Sequence, residues 1–189
     1  MAKEVLKRLD KAGLSINAKK SQWHSPKIKF LGYIISKDGI TMSTEKVQVV
    51  KDWPTPKTVK NIQEFLGFAN VYRRFIENFA RVAQPLTELT KGKTRWVWDR
   101  RQEEAFDELK RRFCEALVLA HFHSEKETIL ETDASDYAYG SILSQTQEVN
   151  SRPGAGVKTH EKTRAHPVTY LSKQFNSAEI NYDIHDKEM

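Results

Sequence analysis

Apolar residues along the chain follow two periods, a helical one over most of its first two thirds and a strand-like one toward its end. Near the start, Val5, Leu6 and Leu9 share one helical face over residues 2–12, and Gly13 is a natural stop. Residues 28–35 are apolar and β-branched, Ser36-Lys37-Asp38-Gly39 has the composition of a turn, and Ile40-Thr41-Met42 resumes the pattern, which predicts a hairpin. Ser43 is placed to cap a helix running to about residue 53, with Val47 and Val50 inside, and Pro54-Thr55-Pro56 ends it. Thr58 is placed to cap the next, in which Ile62, Phe65, Leu66, Ala69 and Tyr72 form a core stripe. Gly67 interrupts that stripe at a cost of about 1 kcal/mol in helix propensity, which implies close approach of another backbone or of nucleic acid.

Residues 78–90 are helical, broken or restarted at Pro85. Trp96-Val97-Trp98 is extended, and Asp99 caps a helix over 100–116. Ala105, Phe106, Leu109 and Phe113 line its inner face with Cys114 beside them, while Lys110, Arg111 and Arg112 face outward. Alternation then takes over. Thr128-Ile129-Leu130 leads into Glu131-Thr132-Asp133, Ala134-Ser135-Asp136 turns, and 137–143 forms a second strand with Gly140 as a bulge or a close-approach position. Residues 146–164 lack any apolar period and read as a long flexible loop, 167–172 as a third strand, and 183–189 as the opening of a helix.

Charge adds a direction to this α+β outline. The 189 residues carry a formal charge of +6, a pI near 9.3, 30% charged side chains and a mean hydropathy of −0.64. The excess is clustered at Lys19-Lys20, Lys27 with Lys29, Arg73-Arg74, Lys91 with Lys93 and Arg95, Arg100-Arg101 and Lys110-Arg111-Arg112, repeatedly beside aromatic residues, which favours nucleic acid as partner. A single cysteine excludes an internal disulfide. Neither a membrane-spanning apolar run nor a signal-peptide core is present, so a soluble intracellular chain is expected.

Asp133 carries the sharpest chemical signal, because a carboxylate at a strand end beside a hairpin can be held rigidly and still face solvent. Period-two spacing puts Glu131 on the same face. His121 and His123 also share a strand face and could begin a zinc site, although no third ligand is in view.

The string Thr132-Asp133-Ala134-Ser135-Asp136-Tyr137-Ala138, followed by Gly140 and Leu143-Ser144-Gln145, resembles the opening of the RNase H domain in Pol polyproteins of gypsy-class LTR retrotransposons and retroviruses. His166-Pro167-Val168 to Ser172 and Asn181-Tyr182 to Glu188 resemble the third strand and first helix of that domain. Upstream, Phe30-Leu31-Gly32-Tyr33, Lys37-Asp38-Gly39-Ile40, Trp53-Pro54-Thr55-Pro56, Phe65-Leu66-Gly67 and Tyr72-Arg73-Arg74-Phe75-Ile76 resemble the end of a reverse-transcriptase palm and its thumb.

The resemblance implies three regions: a palm end with a primer-grip hairpin over 1–42, a helical thumb and connection over 43–116, and the start of an RNase H-like domain over 117–189. It further implies magnesium as cofactor, held by Asp133 and Glu188, and an RNA–DNA hybrid or duplex gripped by Phe30, Leu31, Gly32, Tyr33, Gly67, Arg73, Arg74, Lys110, Arg111 and Arg112. The family's polymerase Asp-Asp motif and its later RNase H carboxylates do not occur here, so the chain by itself is expected to turn over little or nothing. A non-catalytic nucleic-acid-binding module is the alternative expectation.

Overall fold

The computed structural model describes residues 2–92, 95–147 and 164–182. Two three-stranded antiparallel sheets flank a helical layer, in keeping with the α+β expectation. An outlying helix α1 (Ala2–Lys11) buries none of its residues.

The first sheet contains β1 (Lys27–Phe30), β2 (Tyr33–Ser36) and β3 (Gly39–Met42) in that order. Leu31 and Gly32 join β1 to β2 with φ of 50° and 82°. Two successive positive φ values make a two-residue turn whose twist matches the strands, and glycine serves the second position. A Cβ on Gly32 would also collide with the Tyr72 hydroxyl.

The helical layer comprises α2 (Thr44–Lys51), α3 (Val59–Val71), α4 (Phe79–Val82), α5 (Gln84–Glu88) and α6 (Arg100–Cys114), with a 3-10 turn at Arg73–Phe75. The apolar stripe of α3 is inside as its spacing requires, with Ile62, Phe65 and Ala69 fully buried. Phe65 lies 4.7 Å from Phe106 of α6 and 5.5 Å from Trp53, ring centre to ring centre. Thr58 caps α3 through the Asn61 amide, and Asp99 with Gln102 builds a reciprocal capping box on α6. Pro85 occupies the first turn of α5, where its missing amide costs nothing. Ser43, expected to cap α2, makes no side-chain cap bond: its hydroxyl is buried and its amide is tied to the Gly32 carbonyl at 2.8 Å.

Cys114 is exposed rather than in the core. At 3.6 residues per turn it lies about 120° from the centre of the stripe formed by Gln102, Ala105, Phe106, Leu109 and Phe113, so it turns outward.

The second sheet pairs β4 (Thr128–Ala134), β5 (Ala138–Gln147) and β6 (Arg164–Gln174) in that order. Both later strands exceed the predicted lengths. Gln145, fully buried, explains part of the extension: its side chain binds the His123 amide and carbonyl at 2.9 and 2.8 Å and the Thr128 hydroxyl at 2.9 Å. The register shift lies between Leu143 and Ser144, not at Gly140, which is a close-approach position instead. The expected loop at 146–164 falls largely outside the described residues.

Residues 117–120 stitch the two sheets together. Leu119 and Ile40 exchange backbone hydrogen bonds of 2.8 and 2.9 Å at the edge of β3, and the Ala120 amide donates to the Pro167 carbonyl of β6 at 2.8 Å. A Cβ on Gly39 would collide with the Leu119 carbonyl, so this crossing depends on glycine.

Candidate nucleic-acid interface

The β1–β2 turn divides its four motif residues into two pairs. Phe30 and Leu31 project into solvent, 56% and 73% exposed. Gly32 is buried under Tyr72, and Tyr33 stacks on Phe75 at 5.7 Å while its hydroxyl donates to the Val71 carbonyl at 2.9 Å. The inner pair therefore fastens the turn to the end of α3, and the outer pair is left exposed. Lys29 beside it pairs with Glu45 at 2.7 Å and holds that carboxyl down at about 2.

A separate side of α3 presents a polar face. Gln63, Gly67 and Asn70, at i, i+4 and i+7, are all exposed and lie on one side of the helix. The close approach of another backbone expected at Gly67 is not found: a Cβ there would meet nothing within 4 Å. Gly67 opens instead onto a groove of about 360 Å³ between α3, α4, α5 and β6, whose far wall includes Tyr137 and Lys173. Arg73 is committed elsewhere. It is half-buried and donates to the Ser172 carbonyl and, at 3.4 Å, to the Asn70 side chain, whereas Arg74 is exposed.

The basic run on α6 also departs from expectation, since only Arg111 of the three points fully outward. Lys110 donates to the Trp53 carbonyl at 2.9 Å and lies 5.1 Å over the Phe106 ring. Arg111 pairs with Glu108 and Glu115, and Arg112 pairs with Glu108 at 2.6 Å and donates to the Glu77 carbonyl at 2.7 Å. The physical reason is helical spacing, which sets acids three and four residues away from each arginine. Together the arginines hold Glu108 well below its ordinary 4.5, at about 2.

A depressed carboxyl pKa stabilises the fold above the unfolded value and loses that contribution as pH falls through the folded one. The melting temperature is therefore expected to drop between pH 4.5 and about 2. Glu108→Gln should flatten part of that drop in thermal unfolding scans, the remainder belonging to Glu45 and other carboxylates.

Asp133 sits one residue before the end of β4, exposed, opposite Gly140. Ser135 closes the following turn by donating its hydroxyl to the Ala138 carbonyl at 2.8 Å. Glu131 is exposed two residues away. Among the described residues no group of three or more His, Cys, Asp or Glu could hold a metal ion, so these residues do not by themselves make a magnesium site. Glu188 and Asp186 lie outside the described residues. His121 does not pair with His123 for zinc; its Nε2 lies 2.6 Å from the Ser36 carbonyl.

Residues 98–189 match the model of the RNase H-like domain found in reverse transcriptase. Over 187 residues the chain is 37% identical to the Transposon Tf2-3 and Tf2-4 polyproteins of Schizosaccharomyces pombe, covering 99% of this chain. The chain is a homologue of the reverse transcriptase–RNase H region of retrotransposon polyproteins. It spans 13% of the length of those Tf2 relatives. The fold agrees with that of the foamy viral protease-reverse transcriptase dRH in complex with double-stranded DNA, at a TM-score of 0.69 and 23% identity, over 97% of this chain and 30% of that one. The same viral enzyme in complex with an RNA/DNA hybrid matches at 0.68 and 21%, over all of this chain and 25% of that one.

Within this reverse transcriptase–RNase H region, sequence reasoning missed Gln63 and Asn70, although their spacing with Gly67 was readable as an amide–glycine–amide stripe. It also missed Asn78, whose φ of 51° nothing nearby in the sequence announces. Among the described residues no helix is long and apolar enough to cross a membrane.

Proposed function

We propose that this chain grips a nucleic-acid duplex, an RNA–DNA hybrid in the working polyprotein, and supplies the first ligands of that protein's RNase H centre. The carrying observation is a helix face that is bare at Gly67 and flanked by two exposed amides, on a helix whose C-terminal end anchors the exposed apolar turn Phe30-Leu31 through Tyr33. Apolar and aromatic tips pack against sugars and bases, and carboxamides hydrogen-bond to groove edges, while a glycine between them lets a backbone approach closely. Phe30, Leu31, Gly67, Gln63 and Asn70 are assigned to direct contact, with Gly32, Tyr33 and Arg73 positioning them. Arg74 is left for phosphate. Lys110, Arg111 and Arg112 contribute less than their charges suggest, being paired within the protein.

The division into a palm end over 1–42, a thumb over 43–116 and an RNase H-like part over 117–189 goes with this reading. Asp133 and Glu188 are assigned as two ligands of a divalent metal, magnesium, which when bound would supply Lewis-acid chemistry at the scissile phosphate. Asp133 is accessible for that role, one residue before the end of β4.

Fluorescence anisotropy with a labelled RNA–DNA hybrid tests the grip. Affinity is expected to fall with added salt, each neutralised phosphate contributing a slope of about −0.9 in log K against log salt. Arg111→Ala with Arg112→Ala should leave that slope nearly unchanged. Asp133→Asn should leave hybrid binding intact and weaken Mn2+ binding. Absence of hybrid binding by a folded chain would sink the grip, and binding that shows no salt dependence would sink its phosphate component.

A further inference from the structure

Asp133, Gly140 and Ser172 form one row across β4, β5 and β6. Residues directly opposite on antiparallel neighbours project to the same face of the sheet. Two members of this row are held from that face by a single stretch of chain, residues 73–80. The Ala80 amide donates to the Ser172 hydroxyl at 2.9 Å, and Arg73 donates to the Ser172 carbonyl. The Asn78 carboxamide oxygen fills the space that a Cβ on residue 140 would need. Asn78 is itself in the left-handed region, φ 51° and ψ 35°, a conformation asparagine tolerates better than most non-glycine residues. Its amide is thus aimed at Gly140 by the backbone turn between Phe75 and Phe79. The third member of the row is Asp133.

We propose that the 73–80 turn is a positioning device for Asp133, through which the helical layer that meets the duplex also sets where the carboxylate lies. Asn78 and Gly140 are its positioning residues. Neither reaches the reacting atoms, but each fixes the strand pair that carries Asp133. A second fastening, the Ala120 amide on the Pro167 carbonyl, pins β6 five residues away from Ser172 and prevents the sheet from swinging about the first. The separation between the α3 groove and Asp133 is therefore a fixed length of this protein rather than the span of a hinge. Asp133 enters as the metal ligand of the reading above.

Pulsed electron paramagnetic resonance on the 189-residue chain measures that separation, with nitroxide labels at Glu64 and Thr132, both exposed, in a Cys114→Ser background. The expected result is one narrow distance distribution. Gly140→Ala should shift or broaden it, because the new Cβ meets the Asn78 carboxamide. Adding Asn78→Gly, which keeps the turn's conformation and removes the carboxamide, should restore the narrow distribution. General weakening of β5 would not be rescued in this way. A broad distribution in the parent, no change in Gly140→Ala, or no rescue in the double variant overturns the proposal. Hybrid anisotropy and Mn2+ titration on the same samples report separately on the duplex grip and on Asp133 as a ligand, so failure of either reading is told apart from failure of the positioning turn.

Discussion

Phe65→Ala is expected to lower the unfolding free energy by about 3–5 kcal/mol, the usual cost of emptying a fully buried phenylalanine site. Against a typical domain stability of about 5–15 kcal/mol, that would leave a marginal protein. Phe65 has no exposed surface and lies between Phe106 of α6 and Trp53 after α2, so its removal strips contacts from both. The family match begins at residue 98 and includes α6, yet the inner face of α6 is buried against helices that precede residue 98. The core thus crosses the family boundary. The loss should appear in both halves of the chain: in urea unfolding followed by tryptophan emission, and in hydrogen exchange of the β6 amides, which should quicken along with those of α3. Quickening in α3 alone would mean that the second sheet is held independently of the helical layer.

The same core shows what the sequence made legible. The stripes of α3 and α6 were readable because a buried helix face needs apolar residues at a fixed period, and nothing else in those segments competes with that period. The ends of β5 and β6 were not, because Gln145 interrupts the apolar alternation while being fully buried, and its partners are backbone groups of a loop about twenty residues away. Cys114 was misplaced by adjacency, since standing next to Phe113 in sequence means standing about 100° from it on a helix. The charges of α6 illustrate a signal that was present and unused: Glu108 and Glu115 stand at salt-bridge spacing from Arg111, and Glu108 from Arg112. The strand-end position of Asp133 was legible from its motif, but the row around it was not, because strand register sets Ser172 opposite Gly140 and tertiary packing alone brings Asn78 to it.

The four informative glycines separate the same way. Gly32, Gly39 and Gly140 are each blocked by a neighbour's polar atom, and a side chain at any of them disturbs the fold. Gly67 has no such neighbour. Replacing it with alanine should stabilise the helix by about 0.5–1 kcal/mol, the ordinary propensity difference. Gly67→Leu should retain most of that gain, since its side chain extends into the open groove. A glycine retained only for packing would respond in the opposite direction. If the duplex backbone lies against this face, Gly67→Leu should nevertheless weaken hybrid binding, by about tenfold for each 1.4 kcal/mol of lost contact, with Gly67→Ala intermediate. Thermal unfolding and hybrid anisotropy on the same two variants would then move in opposite senses. A leucine that stabilises the protein and leaves hybrid affinity untouched would remove α3 from the interface, and would leave the Phe30-Leu31 turn as its centre.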